Sequence, residues 1–210
     1  MRHYDFIGDI HGYSDYLEKL LTKLGYLKDQ NGVYSHPENR QVFFVGDFID
    51  RGPNNPKVIE IVRPMIENGS AKAVLGNHEV NAIQFNTKTK TGYIRPHSIK
   101  NFKQHSETMI QFHQYSIQEK YDEMIEWFKT LPLFLETSEY RAIHACWNAE
   151  SISHLKQVCP SGILTDEQYL ESAIKSNKLY EAIEITCKGM EVALPKGSSF
   201  HDKDGTERFD

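Results

Sequence analysis

Long apolar runs are missing from this chain of 210 residues. None approaches the roughly 20 residues that a helix needs to cross a bilayer. Cysteine is scarce: three in the whole chain, too few for a disulfide framework. The paired-cysteine patterns of structural zinc sites are absent too. The residues six past Cys146, Cys159 and Cys187 are Ile152, Thr165 and Ala193, so no Cys-x5-Arg phosphatase loop exists. Gly46 to Gly52 runs on into Pro53 and has the wrong spacing for a P-loop. The first apolar run starts directly after Met1, which leaves no room for a leader peptide and sets a cytoplasmic expectation. A formal net charge of −5 gives no global attraction to nucleic acid.

Acidic residues are missing locally as well. Val80 to Ser106 contains no Asp or Glu but carries Lys88, Lys90, Arg95, Lys100 and Lys103. With Tyr93 and Phe102, this stretch suits either steering and gripping of an anionic substrate or a plain solvated insertion. His97, His105 and His113 recur every eight residues, which does not align them on one helix face, and they are not read as ligands.

Against these absences stand three turns: Gly8-Asp9-Ile10-His11-Gly12, Gly46-Asp47-Phe48-Ile49-Asp50-Arg51-Gly52 and Gly76-Asn77-His78-Glu79. Each follows an apolar run that reads as a strand: His3 to Ile7, Gln41 to Val45 and Ala71 to Leu75. Helical patterns follow the first two, and a third is expected after Asn77. This alternation predicts an α/β fold with a parallel sheet and its function at the carboxyl ends of the strands.

Between the turns, Ser14 is expected to cap a helix through Leu24, with Leu17, Leu20, Leu21 and Leu24 on one face. Asn55 is expected to cap the next, with Pro56 at its first position and a kink or early end at Pro64. Residues 86–120 read as an excursion bordering the site, a loop followed by a helix from Phe102 to Tyr115. A helix over Tyr121 to Thr130 and strands at Leu133 to Leu135 and Arg141 to His144 come next. Thr165 with Gln168 forms a capping box, and Asn177 caps a last helix. One domain over 1–210 is expected.

Asp9 and His11 alternate on an extended segment, Asp47 holds the matching place after the second strand, and Asn77 that after the third. Carboxylate, imidazole and amide oxygen together suit divalent first-row metals. Two carboxylates brought close without a cation repel, which a metal pair relieves. Such a pair holds a bridging hydroxide at neutral pH and clamps phosphate oxygens. The Arg51 fork suits phosphate, and His78, oriented by Asp50, is placed to protonate a leaving oxygen.

The three turns resemble the signature of calcineurin-like metallophosphoesterases, and more narrowly the phosphoprotein-phosphatase branch that includes diadenosine-tetraphosphatase-like enzymes. The likeness spans roughly Arg2 to Asn148. It implies a β-sandwich flanked by helices and two divalent ions, commonly manganese, with iron or zinc as alternatives. Asp9 and His11 are then ligands of the first ion, Asp47 the bridge and Asn77 a ligand of the second. His78 with Asp50 serves the leaving group and Arg51 holds phosphate. His144, in Ala142-Ile143-His144-Ala145, matches a further ligand of the second ion. The family's last histidine, in a Gly-His context, has no counterpart, since neither His154 nor His201 follows glycine. A C-terminally truncated domain is therefore expected, and Arg95 and Arg208 are further phosphate-contact candidates. The resemblance implies hydrolysis of phosphomonoesters, small or protein-borne. The alternatives are a dinucleoside-polyphosphate or nucleotide hydrolase and a non-catalytic phosphate-binding protein.

Overall fold

The computed structural model describes residues 3–114, 118–201 and 207–208. In chain order its elements are β1 (Tyr4–Ile7), α1 (Ser14–Lys23), β2 (Leu27–Lys28), β3 (Tyr34–Ser35), β4 (Gln41–Phe44), α2 (Asn55–Glu67), β5 (Ala71–Ala73) and α3 (Asn77–Asn86). There follow β6 (Lys88–Thr89), β7 (Gly92–Tyr93), α4 (Ile99–Gln114), α5 (Gln118–Phe128), β8 (Phe134–Glu136) and β9 (Arg141–Ile143). The chain continues through α6 (Ala149–Val158), α7 (Asp166–Glu171), α8 (Lys178–Lys188), β10 (Phe200–His201) and β11 (Glu207–Arg208).

The organising unit is a parallel sheet in the order β1-β4-β5. Ile7 pairs with Phe44, and Phe44 with Ala73, so all three strands end at one level. The three turns therefore leave the sheet side by side. Central β4 is buried along its whole length, as its unbroken apolar run Val42-Phe43-Phe44 requires. Its side chains alternate between two layers. Val42 and Phe44 enter the main core with Leu17 and Leu21 of α1 and Val58, Val62 and Met65 of α2. Phe43 and Val74 face the other way, onto Leu135, Tyr140 and Ala142 of the antiparallel β8–β9 hairpin. The hairpin thus covers part of the second face, and its outgoing strand leads into His144.

Several elements differ from the sequence reading in instructive ways. Helix α2 is capped by Asn54, whose side chain accepts from Lys57 N at 3.1 Å. Asn55 lies one residue inside the helix, buried, with its backbone N and its Nδ2 both donating to Gln111 Oε1. Pro64 neither ends nor shortens α2, which continues to Glu67. The carbonyl it deprives of a donor belongs to Glu60, on the solvent-exposed face of the helix. Ser14 is the first helical residue of α1, and Tyr13 holds the cap position without a side-chain bond. The stretch after α3 folds into the small β6–β7 hairpin before α4 begins. The Thr165–Gln168 capping box forms with both of its bonds, and Asn177 accepts from Leu179 N. That first helix stops at Glu171. The expected helix end at Tyr115 lies outside the described residues.

The two asparagines give a stability test. Asn54→Ala removes one cap and is expected to cost about 1 kcal/mol. Asn55→Ala removes the side-chain donor to the buried Gln111 Oε1, leaves only the backbone N–H on it, and is expected to cost up to about 3 kcal/mol. Urea unfolding of the two variants measures the difference, and the reverse order contradicts this placement of the cap.

A candidate two-metal centre at the ends of the strands

The first two turns are zipped together by backbone. His11 N donates to Asp47 O at 2.9 Å, Gly12 N to Phe48 O at 2.8 Å, and Gly52 N back to His11 O at 2.8 Å. The packing is close enough to forbid a side chain: a Cβ on Gly52 meets His11 O at 2.2 Å. Gly46 is equally confined, at φ +90° with Gly76 N only 2.3 Å from any added Cβ. Asp9, His11, Asp47, Asp50 and Arg51 all have φ between +44° and +69°. Side-chain-bearing residues rarely adopt this region, and each costs about 1 kcal/mol or more. Five such residues in two turns mark a place where geometry is imposed from outside.

Glu79 imposes much of it. This fully buried side chain accepts from Asp47 N and Phe48 N, each at 2.8 Å, and from Gly76 N at 3.0 Å. All three partners are donors, so the geometry is that of a carboxylate. Burial, and then the neighbouring Asp47 charge, push its pKa up to about 7. Glu79 was visible in the sequence only as the last letter of the third turn, and nothing there announced that it binds the second turn.

Asp47 stands between two histidines. Its Oδ2 lies 3.5 Å from His11 Nε2, and its Oδ1 lies 3.6 Å from His144 Nε2. Both imidazoles donate their other nitrogen to backbone carbonyls, His11 Nδ1 to Ile49 O at 2.8 Å and His144 Nδ1 to Val45 O at 2.5 Å. In the neutral rings the Nε2 lone pairs then face the carboxylate. Burial holds the His11 pKa below its ordinary value, despite the Ile49 bond, so the ring is in the ligand form. His11 Nε2 is buried and has no hydrogen-bond partner.

Two groups of ligand atoms result: His11, Asp47 and His78, and Asp9, Asp47 and His144. Within each, the atoms lie within 4.8 Å of one another. An orphaned buried Nε2, lone pairs aimed at one carboxylate, and a site shared by two such groups fit a pair of cations. The grouping departs from the expected one at Asp9, whose exposed carboxylate lies with His144 rather than with His11. Asn77, half-buried, opens α3 directly after Gly76, where a Cβ meets Asp47 Oδ1 at 2.2 Å.

His78 belongs to two environments. Its Nδ1 donates to Asp50 Oδ2 at 2.6 Å, while its Nε2 lies 4.0 Å from Asp47 Oδ2 and 3.4 Å from Arg51 Nη2. Burial pulls its pKa down, but the Asp50 bond and the Asp47 charge outweigh that and raise it. Burial alone lifts the Asp50 carboxyl, yet the bonds from His105 and His78 hold it well below the usual range. Arg51 is exposed beside His78. Arg95 lines a small cavity with Asp50 and His105 and donates to Asn81 Oδ1 at 2.9 Å and Gln104 Oε1 at 2.6 Å. Arg208 sits on the β10–β11 hairpin, opposite Phe200.

The sequence reading missed His105, Thr108 and Gln111. They form a buried polar stripe on α4 that faces the second turn. The signal was present as an i, i+3, i+6 spacing, but polar residues on a helix ordinarily mark its solvent face.

Removing the Glu79 acceptor tests whether it holds the site. Glu79→Ala leaves three buried amides unsatisfied and is expected to cost about 3 kcal/mol or more in urea unfolding. Manganese affinity, measured by titration calorimetry, is expected to fall about tenfold or more because Asp47 loses its anchor. Unchanged affinity contradicts this role.

Comparison with known proteins agrees with the geometry. A family model for calcineurin-like phosphoesterases matches residues 3–199. The chain is 36% identical over 141 residues to an asymmetrical bis(5'-nucleosyl)-tetraphosphatase PrpE from Oceanobacillus iheyensis, covering 67% of this chain and 54% of that protein. It is 31% identical over 175 residues to the protein of the same name from Bacillus subtilis, covering 79% and 68%. The chain thus spans about half the length of the first of these relatives and two thirds of the second. Among solved structures, a cold-active protein tyrosine phosphatase aligns with a TM-score of 0.50 at 14% identity, over 87% of this chain and 52% of that one. That last likeness concerns the fold alone. With three strand-end turns carrying candidate metal ligands and a match over nearly its whole length, the chain belongs to the calcineurin-like phosphoesterase family.

Proposed function

We propose that the protein is a metal-dependent phosphoesterase acting on dinucleoside polyphosphates. The observation that carries the catalytic reading is Asp47, flanked at 3.5 and 3.6 Å by the Nε2 atoms of His11 and His144. Asp9, His11, Asp47, Asn77 and His144 hold two divalent ions, manganese first, with iron or zinc as alternatives. Such ions supply Lewis-acid charge to a phosphate and a nucleophile at neutral pH. Arg51, exposed next to His78, grips a phosphate oxygen. The proton on His78 Nε2 passes to the leaving oxygen, while the Nδ1 proton stays on the ring, donated to Asp50. Arg95 braces α3 against α4, and the phosphate grip rests on Arg51.

The choice of substrate class rests on the relatives, both named bis(5'-nucleosyl)-tetraphosphatase. It reverses the order expected from the sequence, in which phosphomonoesters came first. A non-catalytic phosphate binder has no need of a buried acid pair such as His78–Asp50, so that reading ranks last.

The test compares diadenosine tetraphosphate with a phosphopeptide, each with added manganese. Turnover of the first, two metal ions per chain, and a loss of about a hundredfold or more in His78→Ala are expected. Asp47→Asn is expected to abolish activity and reduce metal content. A metal-loaded chain that cleaves the phosphopeptide and spares the dinucleotide overturns the substrate assignment. One that cleaves neither, nor any aryl phosphate, overturns the enzyme itself.

A further inference from the structure

Asp50 carries more than the leaving-group histidine. Its Oδ1 accepts from His105 Nδ1 at 2.8 Å and from Thr108 Oγ1 at 2.6 Å, while Oδ2 serves His78. The chain of bonds continues beyond His105. Asn86 Nδ2 donates to the Tyr121 oxygen at 2.8 Å, and the Tyr121 hydroxyl lies 2.9 Å from His105 Nε2. Only one direction of donation satisfies every member. The Asn86 amide gives to Tyr121, the Tyr121 O–H gives to His105 Nε2, and His105 Nδ1–H gives to Asp50. The His105 Nδ1 proton thereby lies on the bond to Asp50.

The path is closed. His78 and Asn86 lie on the same helix, eight residues or just over two turns apart. From α3 the bonds run through the second turn, α4 and α5 and back to α3. His105 is buried, its ring set between Phe85 and Tyr121. Water has little access to compete with it. A histidine kept only to fill the core does not need Nδ1 on a carboxylate and Nε2 on a hydroxyl.

We propose that His105 is a positioning residue for the leaving-group acid: acting through Asp50, it fixes the orientation of His78. This inference rests on the phosphoesterase reading given above. Asp50 sits in the second turn at φ +69°, with its carboxylate bonded on both oxygens. With Oδ1 held by α4, Oδ2 is left to His78, and Nε2 is aimed at the side where Arg51 stands. His105 gives up no proton in the reaction; it limits where the acid can point.

The role separates from mere packing because an acid matters only when the leaving group needs one. His105→Phe keeps the volume and removes the donor. Its kcat is expected to fall about tenfold on phenyl phosphate but by less than about twofold on 2,4-dinitrophenyl phosphate, with KM unchanged on both. His105→Asn retains a donor near the Nδ1 position and is expected to recover most of the loss. Independently of turnover, proton NMR of the metal-free chain reads the His78 Nδ1–H resonance, expected far downfield. That resonance is expected to persist in His105→Asn and to shift or broaden in His105→Phe. Equal losses across the leaving-group series, or an unmoved His78 resonance in His105→Phe, overturn the proposal. A wild-type chain inactive on every phosphate substrate defeats the phosphoesterase reading instead, and the NMR comparison still decides whether His105 orients His78.

Discussion

Three backbone amides from two different turns end on the side chain of Glu79. A buried carboxylate is costly, and three charge-assisted bonds are what make this one tolerable. In return the second and third turns are held at one distance, with Gly46 and Gly76 letting the backbones nearly touch. The left-handed conformation of Asp47 is stable only under such restraint. The Asp47 carboxylate is thereby delivered to the midpoint between His11 and His144. Parallel strands ending at one level bring the turns together, and Glu79 locks them.

Two aspartates three residues apart illustrate how environment divides their work. Asp50 is surrounded by donors from His78, His105 and Thr108, and its negative charge is satisfied by protein alone. Asp47 receives the His78 backbone N–H at 3.1 Å, but its imidazole neighbours present lone pairs. An anion facing two lone pairs is unfavourable unless a proton or a cation lies between them. The second turn thus holds one carboxylate built for orientation and another built for a metal. A cation there also lowers the cost of keeping Glu79 ionised, since the Asp47 charge is part of what raises its pKa.

Most of this was legible in the sequence wherever a residue's role is local. The Thr165–Gln168 box and the Asn177 cap are set within four residues, and both form. The order Asn54-Asn55 was harder, because either asparagine can cap; a contact to Gln111, 56 positions away, decided which was drawn inward. Pro64 misled because its cost depends on which face of α2 it meets. His105 was unreadable for the same kind of reason. Its partner Asp50 is 55 positions distant, and no spacing along α4 reveals that a turn lies across from it.

The two halves of the site also differ in what supports them. Asp47 and Glu79 are held by β4, β5 and the start of α3, the parts most deeply embedded in the main core. Asp50 depends on α4, which packs against α2 and α5 and whose outer face leaves Ile99, Phe102 and Ile110 exposed. Local opening of α4 removes two of three donors from Asp50 without touching the Asp47 cluster. Helices at a domain's margin open at lower free energy than central strands. The ligand half of the site is therefore built to persist through fluctuations that disturb the orientation of the acid, and the ring of bonds from His78 through Asp50, His105, Tyr121 and Asn86 opposes those fluctuations, because undocking α4 breaks it at the bonds from His105 to Asp50 and Tyr121.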